Sequence, residues 1–247
     1  MESKGFNRKK VIKFCYLKMS DKNFPISLAL DTDSQAKASE WIDFFSEWVG
    51  SFKVGPVLFH EWPGVIDYIK NKNKIVFLDL KLHDIPNTVF LATKSLSRRN
   101  VDYMTIHMSG GKDMVSAAVE GGGSSLSPIG VGVLTSVSTE FWRSFTSGKI
   151  SDSFELMLSY SWNAGLRNFV CSGSELSLVR KSLPDCKIWV PGVRFDGDLI
   201  NDQKRVTTPK DAIDNGADWL VVGRALCNSS KKDAIHKMKL FEKELFA

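Results

Sequence analysis

The stretch Ile75-Val76-Phe77-Leu78-Asp79-Leu80-Lys81-Leu82-His83-Asp84 opens as a continuous apolar run and closes as a cluster of charge. An apolar run without alternation is the pattern of a strand buried on both faces, as in a parallel sheet. Residues 79 and 81 are two apart, which on an extended strand sends both side chains to one face. Leu78 and Leu80 then fill the opposite face. A buried strand that ends in two carboxylates, a lysine and a histidine delivers those groups to a mouth rather than to a core.

Working outward, short apolar or β-branched runs recur at 26–30, 52–54, 75–80, 103–106, 129–134, 169–171, 188–190 and 220–222. Gly, Pro, Asp or Asn bound each of them. Amphipathic stretches fill the gaps. Residues 36–49 carry Trp41, Phe44, Phe45 and Trp48 on one side at helical spacing, and 87–99 follow Pro86. Residues 155–164 precede the sixth run, and 209–215 end at Gly216, a natural C-cap. Eight strands with crossover helices predict an α/β (β/α)8 TIM barrel in a single domain over 25–247. A doubly wound open sheet is the rival. The count of strands and the lack of a G-x-G-x-x-G after the first one favour the barrel. The Gly-rich cluster at 121–125 is too short to separate domains.

Charge divides the chain unevenly. The 247 residues carry 33 Lys+Arg and 28 Asp+Glu, a formal net charge of +5. Residues 1–24 hold seven basic residues (Lys4, Arg8, Lys9, Lys10, Lys13, Lys18, Lys22) against Glu2 and Asp21. Subtracting these leaves 26 of each sign in 25–247, so the body is neutral. That argues against a nucleic-acid-binding body, which needs a basic stripe. Residues 1–24 read as a disordered basic extension, with a start at Met19 as the alternative. The apolar part of the extension is short and broken by Lys13, unlike a secretory signal. No apolar run approaches the roughly 18–20 residues of a membrane span. Cys15, Cys171, Cys186 and Cys227 form no C-x-x-C pair, so zinc and disulfide scaffolds are disfavoured and a cytoplasmic location is expected.

Barrel active sites lie at the C-terminal strand ends. Read in order, those ends supply Asp31 and Asp33, Lys53, the group Asp79, Lys81, His83 and Asp84, then His107 and Ser109, Thr135 and Ser136, Arg194, and finally Gly223 and Arg224. The D-x-K-x-x-D string by itself also fits a solvated charged turn; its position in the fold favours catalysis. The segments Pro191-Gly192-Val193-Arg194 and Val222-Gly223-Arg224 fall after strands seven and eight, where such barrels often bind phosphate. Glycine lets the backbone approach an oxyanion and arginine forks onto phosphate oxygens; the alternative is plain turn glycines and surface arginines. Gln203 lies in a long polar loop, 194–208, that could close over a ligand. With a carboxylate on either side, Lys81 is expected to stay charged at neutral pH. It is then a poor Schiff-base nucleophile but suits stabilising, and protonating, a carbanion. The residues alone reach a phosphorylated substrate, carbanion chemistry and no dedicated cofactor or metal site.

The chain resembles the orotidine 5′-monophosphate decarboxylase family in its bacterial form. The likeness rests on Leu28-Ala29-Leu30-Asp31, Phe52-Lys53-Val54-Gly55, the eleven residues from Asp79 to Val89, His107-Met108-Ser109-Gly110-Gly111 and Val133-Leu134-Thr135-Ser136. It continues through Pro191-Gly192-Val193-Arg194, Asp202-Gln203-Lys204-Arg205 and Val221-Val222-Gly223-Arg224. Ala225, where the family has proline, and Trp189, where a smaller residue is expected, depart from the pattern. The resemblance implies cofactor-free decarboxylation of orotidine 5′-monophosphate to UMP, the last step of UMP synthesis. Carried over, it implies Lys81 as proton donor to C6 and Asp79 beside the leaving CO2. Lys53 would bind ribose and orient the charges, with Asp31 on the ribose hydroxyls and Thr135 at the pyrimidine. Arg194, Gln203, Gly223 and Arg224 would hold the phosphate. Family enzymes are homodimers, so Asp84, Ile85 and Thr88 would serve the partner's site, while His83 and His107 read as structural. The nearest alternatives are a Mg²⁺-dependent sugar-phosphate decarboxylase or lyase of the same barrel superfamily and a catalytically silent phosphate-binding barrel.

Overall fold

The structure is a computed structural model that describes residues 24–195 and 207–246. The basic extension, apart from Phe24, and Gln203 therefore lie outside the described residues. Eight parallel strands close in chain order into a barrel: β1 (Phe24–Leu30), β2 (Val49–Val54), β3 (Ile75–Leu82), β4 (Tyr103–His107), β5 (Ser127–Val131), β6 (Asn168–Val170), β7 (Lys187–Val190) and β8 (Trp219–Val222). The ladder closes where Ile26, Ser27 and Leu28 pair with Leu220, Val221 and Val222. The expected (β/α)8 barrel is the observed fold.

Between the strands run α1 (Gln35–Phe45), α2 (Pro56–Glu61), α3 (Val65–Lys70), α4 (Pro86–Ser97), α5 (Gly111–Gly122), α6 (Thr139–Phe145), α7 (Ile150–Asn163), α8 (Leu176–Ser182), α9 (Pro209–Asp214), α10 (Arg224–Cys227) and α11 (Lys231–Phe246). Local chemistry starts several of them. Proline opens α2, α4 and α9, where its missing N–H costs nothing. Ser34, Ser138 and Thr208 accept bonds from the backbone N–H of Lys37, Phe141 and Asp211, satisfying donors a helix start leaves open. Gly216 ends α9 at φ +100°, the left-handed conformation expected of it.

Two expected boundaries move. The first helix stops at Phe45 rather than at 49, because Val49 is drawn into β2 by its pairing with Phe24. The fifth strand stops at Val131 rather than at 134, because its neighbour β6 ends at Val170, opposite Val131, leaving no ladder partner beyond. Residues 132–135 are thereby released to form part of a mouth.

Strand alternation sorts side chains into two cores. Leu28, Phe52, Leu78, Ile106, Phe169, Ile188 and Leu220 point outward and pack in one apolar cluster with the buried helical residues Ile42, Ile66, Val89, Leu158 and Val179. The opposite parity fills the barrel, where Ala29, Phe77, Ile129, Trp189 and Val221 form a separate interior cluster. Trp189 dominates it. Its ring stacks on Trp219 at 4.8 Å and 6° and meets Tyr103 at 4.8 Å and Phe77 at 4.9 Å. The bulky residue at this strand-seven position is thus the plug of the barrel rather than a misfit. Among the described residues no helix is long and apolar enough to cross a membrane.

Candidate active site

Above that plug, at the C-terminal ends of the strands, lies a cavity of about 280 Å³. Asp31 from the end of β1, Lys53 from β2, and Asp79 and Lys81 from β3 line one side. They form one continuous charge array. The Lys53 Nζ sits 3.2 Å from Asp31 Oδ1 and 3.3 Å from Asp79 Oδ2, while Lys81 Nζ donates to Asp79 Oδ1 at 2.8 Å. Asp79 is thus held between two ammonium groups, with its side chain only 12% exposed.

Burial and charge oppose each other here, and charge prevails. Burial pushes the Asp79 carboxyl up, but Lys53 and Lys81 beside it, with hydrogen bonds from Lys81 and Thr105, hold it below the usual carboxylate range. Burial likewise disfavours the Lys53 ammonium, but Asp79 and Asp31 outweigh it and hold that pKa above the ordinary lysine value. Both groups are ionised at neutral pH. An anion and a cation kept charged and largely buried at a cavity wall exert their field on a ligand with less screening than in bulk water.

The expectation of a regular strand through Asp79 and Lys81 is not met. In the β3–β4 ladder Leu78 pairs with Met104 and Leu82 with Ile106, so Asp79, Leu80 and Lys81 bulge opposite Thr105 alone. Lys81 adopts φ +50°, a left-handed conformation that costs a lysine on the order of 1 kcal/mol. Both side chains still line the cavity, as expected, but they are aimed by the bulge rather than by simple alternation.

The rest of the cavity lining brings the remaining predictions together. Thr135, Gly192, Arg194, Gly223 and Arg224 all line it. Arg194 is 7% exposed, its Nη1 donates to the Val193 carbonyl at 2.9 Å, and its backbone N–H donates to Thr207. A Cβ at Gly223 would lie 3.3 Å from the Ala29 Cβ and 3.4 Å from Asp31 Oδ2, so a side chain there would crowd the array. Two arginines beside open backbone after β7 and β8 suit a phosphate. Asp84, Ile85 and Thr88 stand apart. All three are exposed and none lines this cavity; Asp84 Oδ1 accepts from the Ile85 N–H at 2.7 Å, at the start of α4. The His83 and His107 rings lie 5.5 Å apart. Burial first, then the charges of His83 and Lys81, keep half-buried His107 below the ordinary histidine pKa despite a backbone hydrogen bond at Gly132.

Several lining residues escaped sequence reasoning. Phe77, Val131 and Val170 are interior-parity strand residues, and Phe154 arrives from α7. Ser172 and Glu175 also line the cavity, with Glu175 Oε2 accepting from the Ser172 backbone N–H at 2.8 Å and from its Oγ at 2.7 Å. The S-x-x-E spacing after β6 was the available signal. Thr105 is the most consequential omission: buried at 1% exposure, its Oγ1 donates to Asp79 Oδ1 and accepts from the Lys81 backbone N–H, both at 2.8 Å. Among the described residues no group of three or more His, Cys, Asp or Glu could hold a metal ion.

Fold and site together define a (β/α)8-barrel enzyme with an alternating lysine–aspartate array at the mouth of its barrel. Comparison with known proteins narrows the class. The profile of the orotidine 5′-phosphate decarboxylase / HUMPS family matches residues 25–238, and the chain belongs to that family. Orotidine 5′-phosphate decarboxylase from Carboxydothermus hydrogenoformans is 39% identical over 227 residues, covering 88% of this chain and 95% of that protein. The protein of the same name from Streptococcus pneumoniae is 39% identical over 215 residues, covering 85% and 92%. Among solved structures, orotidine 5′-phosphate decarboxylase from Lactobacillus acidophilus superposes with a TM-score of 0.77 at 26% identity, covering 90% of this chain and 99% of that one.

Proposed function

We infer that this chain decarboxylates orotidine 5′-monophosphate to UMP and CO2. The observation that carries the reading is the Asp31–Lys53–Asp79–Lys81 array in one cavity with Arg194 and Arg224. In the proposed reaction the bond from C6 to the substrate carboxylate breaks and its electron pair stays on C6. The Lys81 ammonium gives that carbon its proton and is recharged from solvent. Ionised Asp79 stands beside the departing carboxylate and favours its loss, while Lys53 orients Asp79 and, with Asp31, meets the ribose. Thr135 takes the pyrimidine, and Arg194, Gln203, Gly223 and Arg224 take the phosphate.

Metal-assisted lyase chemistry is the competing reading. It is disfavoured by Lys53, whose ammonium already lies within 3.3 Å of the two carboxylates a cation would need. The test is UMP formation from orotidine 5′-monophosphate with a chelator present. Full turnover is expected, and activity that vanishes with the chelator and returns with Mg²⁺ would overturn the reading.

The catalytic unit is proposed to be a cytoplasmic homodimer in which Asp84, Ile85 and Thr88 complete the partner's site. The exposure of all three outside their own cavity supports this. A mixed dimer of Lys81→Ala and Asp84→Ala chains should regain activity in one of its two sites; no recovery would count against shared sites. Residues 1–18 are proposed to be dispensable for turnover.

A further inference from the structure

We propose that the Thr105 hydroxyl is a positioning group for the reaction, a peg that fills the β3 bulge and sets the aim of both Asp79 and Lys81. This rests on the reading of those two residues given above. The ladder places Asp79, Leu80 and Lys81 opposite Thr105 alone, so the backbone of β3 loses its regular partners where the chemistry needs most precision. A bulge left unsatisfied would leave a buried N–H without a bond and let the strand relax.

Thr105 closes both gaps with one oxygen. Its Oγ1 accepts the backbone N–H of Lys81 at 2.8 Å, the residue held at φ +50°, and donates its own proton to Asp79 Oδ1 at 2.8 Å. The same Asp79 oxygen receives Lys81 Nζ at 2.8 Å, so hydroxyl, carboxylate and ammonium form a closed ring through the Lys81 backbone. Direction matters. Because the hydroxyl has one proton and Asp79 is ionised, accepting from the amide commits that proton to the carboxylate. Thr105 is 1% exposed, so water has no ready access to replace its hydroxyl.

A single hydroxyl oxygen makes both bonds from this position. Valine keeps the volume and removes both, whereas serine keeps both and removes a methyl group. A residue that merely packs would rank valine above serine; a peg ranks serine above valine.

The experiment measures kcat and KM for orotidine 5′-monophosphate in Thr105→Val, Thr105→Ser and Thr105→Ala, each with a thermal unfolding curve, and Lys81→Ala in parallel. The expected result is a kcat at least tenfold lower in Thr105→Val, with KM changed by less than about threefold. Thr105→Ser should recover most of that loss even if it unfolds at the lower temperature. If Thr105→Val does not fold, Thr105→Ala against Thr105→Ser carries the same comparison. Equal kcat in valine and serine variants, or a change confined to KM, would overturn the proposal. Turnover by Lys81→Ala would instead overturn the reading of the catalytic pair, which keeps the two failures distinct.

Discussion

Asp79→Asn tests whether the charge array also stabilises the fold. The substitution keeps the shape of the side chain and removes its charge between two ammonium groups at 3.3 Å and 2.8 Å. At an effective dielectric of about 20, the two attractions amount to about 5 and about 6 kcal/mol before desolvation is subtracted. Burying Asp79 consumes most of that, and relief of its burial offsets part of the loss. Lys53 keeps Asp31 at 3.2 Å, and Lys81, 36% exposed, regains water. Removing one partner of a buried pair costs about 3–5 kcal/mol, and these two compensations place the expected loss at the lower end, about 3 kcal/mol. In a barrel of this size that lowers Tm by about 6–12 °C.

The pH dependence carries a sign. Asp79 titrates below its unfolded value of about 3.9, so its contribution is complete above that value and is lost as pH falls through the depressed folded pKa. The Tm gap between wild type and Asp79→Asn should therefore be the same at pH 7 and pH 5.5 and shrink only in stronger acid. Scanning calorimetry at several pH values reads this directly. A variant as stable as wild type at pH 7 would refute the stabilising role, and a gap that closes between pH 7 and pH 5.5 would refute the assignment to a depressed carboxylate.

Other expectations follow from single residues. Trp189→Val should cost about 3 kcal/mol and lower Tm by several degrees, since the side chain is fully buried among Phe77, Tyr103 and Trp219; an unchanged Tm would show that the barrel collapses to refill the space. Ile85→Arg, at a residue 67% exposed on the proposed dimer face, should weaken self-association by about two orders of magnitude or more in sedimentation experiments and abolish turnover at low protein concentration. Burial pushes the Cys227 thiol up to about 12 and raises that of Cys171 still further, so neither should react with iodoacetamide in the folded protein at pH 8, as read by peptide mass mapping, while both react in denaturant.

The strands were legible because a parallel barrel buries both faces of each strand, and that burial writes short unbroken apolar runs into the chain. Site residues at strand ends were legible for the complementary reason: Asp31, Lys53, Asp79 and Lys81 interrupt those runs where nothing but a mouth could hold them. Thr105 was hidden because a hydroxyl inside an apolar strand looks like a tolerated polar residue. Its parity with Tyr103 and His107 was the clue that it points into the barrel. The bulge at Asp79–Lys81 was invisible for a different reason: periodicity presumes a regular strand, and the irregularity depends on pairing with β4. The early end of β5 likewise depended on the length of its neighbour β6. Ile85 and Thr88, and the role of Asp84 beyond its place in the D-x-K-x-x-D string, entered only through family resemblance, since nothing in their own surroundings draws them to the cavity.

The Lys81 ammonium is proposed to supply the proton that C6 receives. The most direct test of that role is single-turnover decarboxylation of orotidine 5′-monophosphate by Lys81→Ala, with chelator present and enzyme in excess over substrate. Bound substrate and no UMP are expected on the timescale in which wild type converts all of it. UMP formed at the wild-type rate would contradict that role.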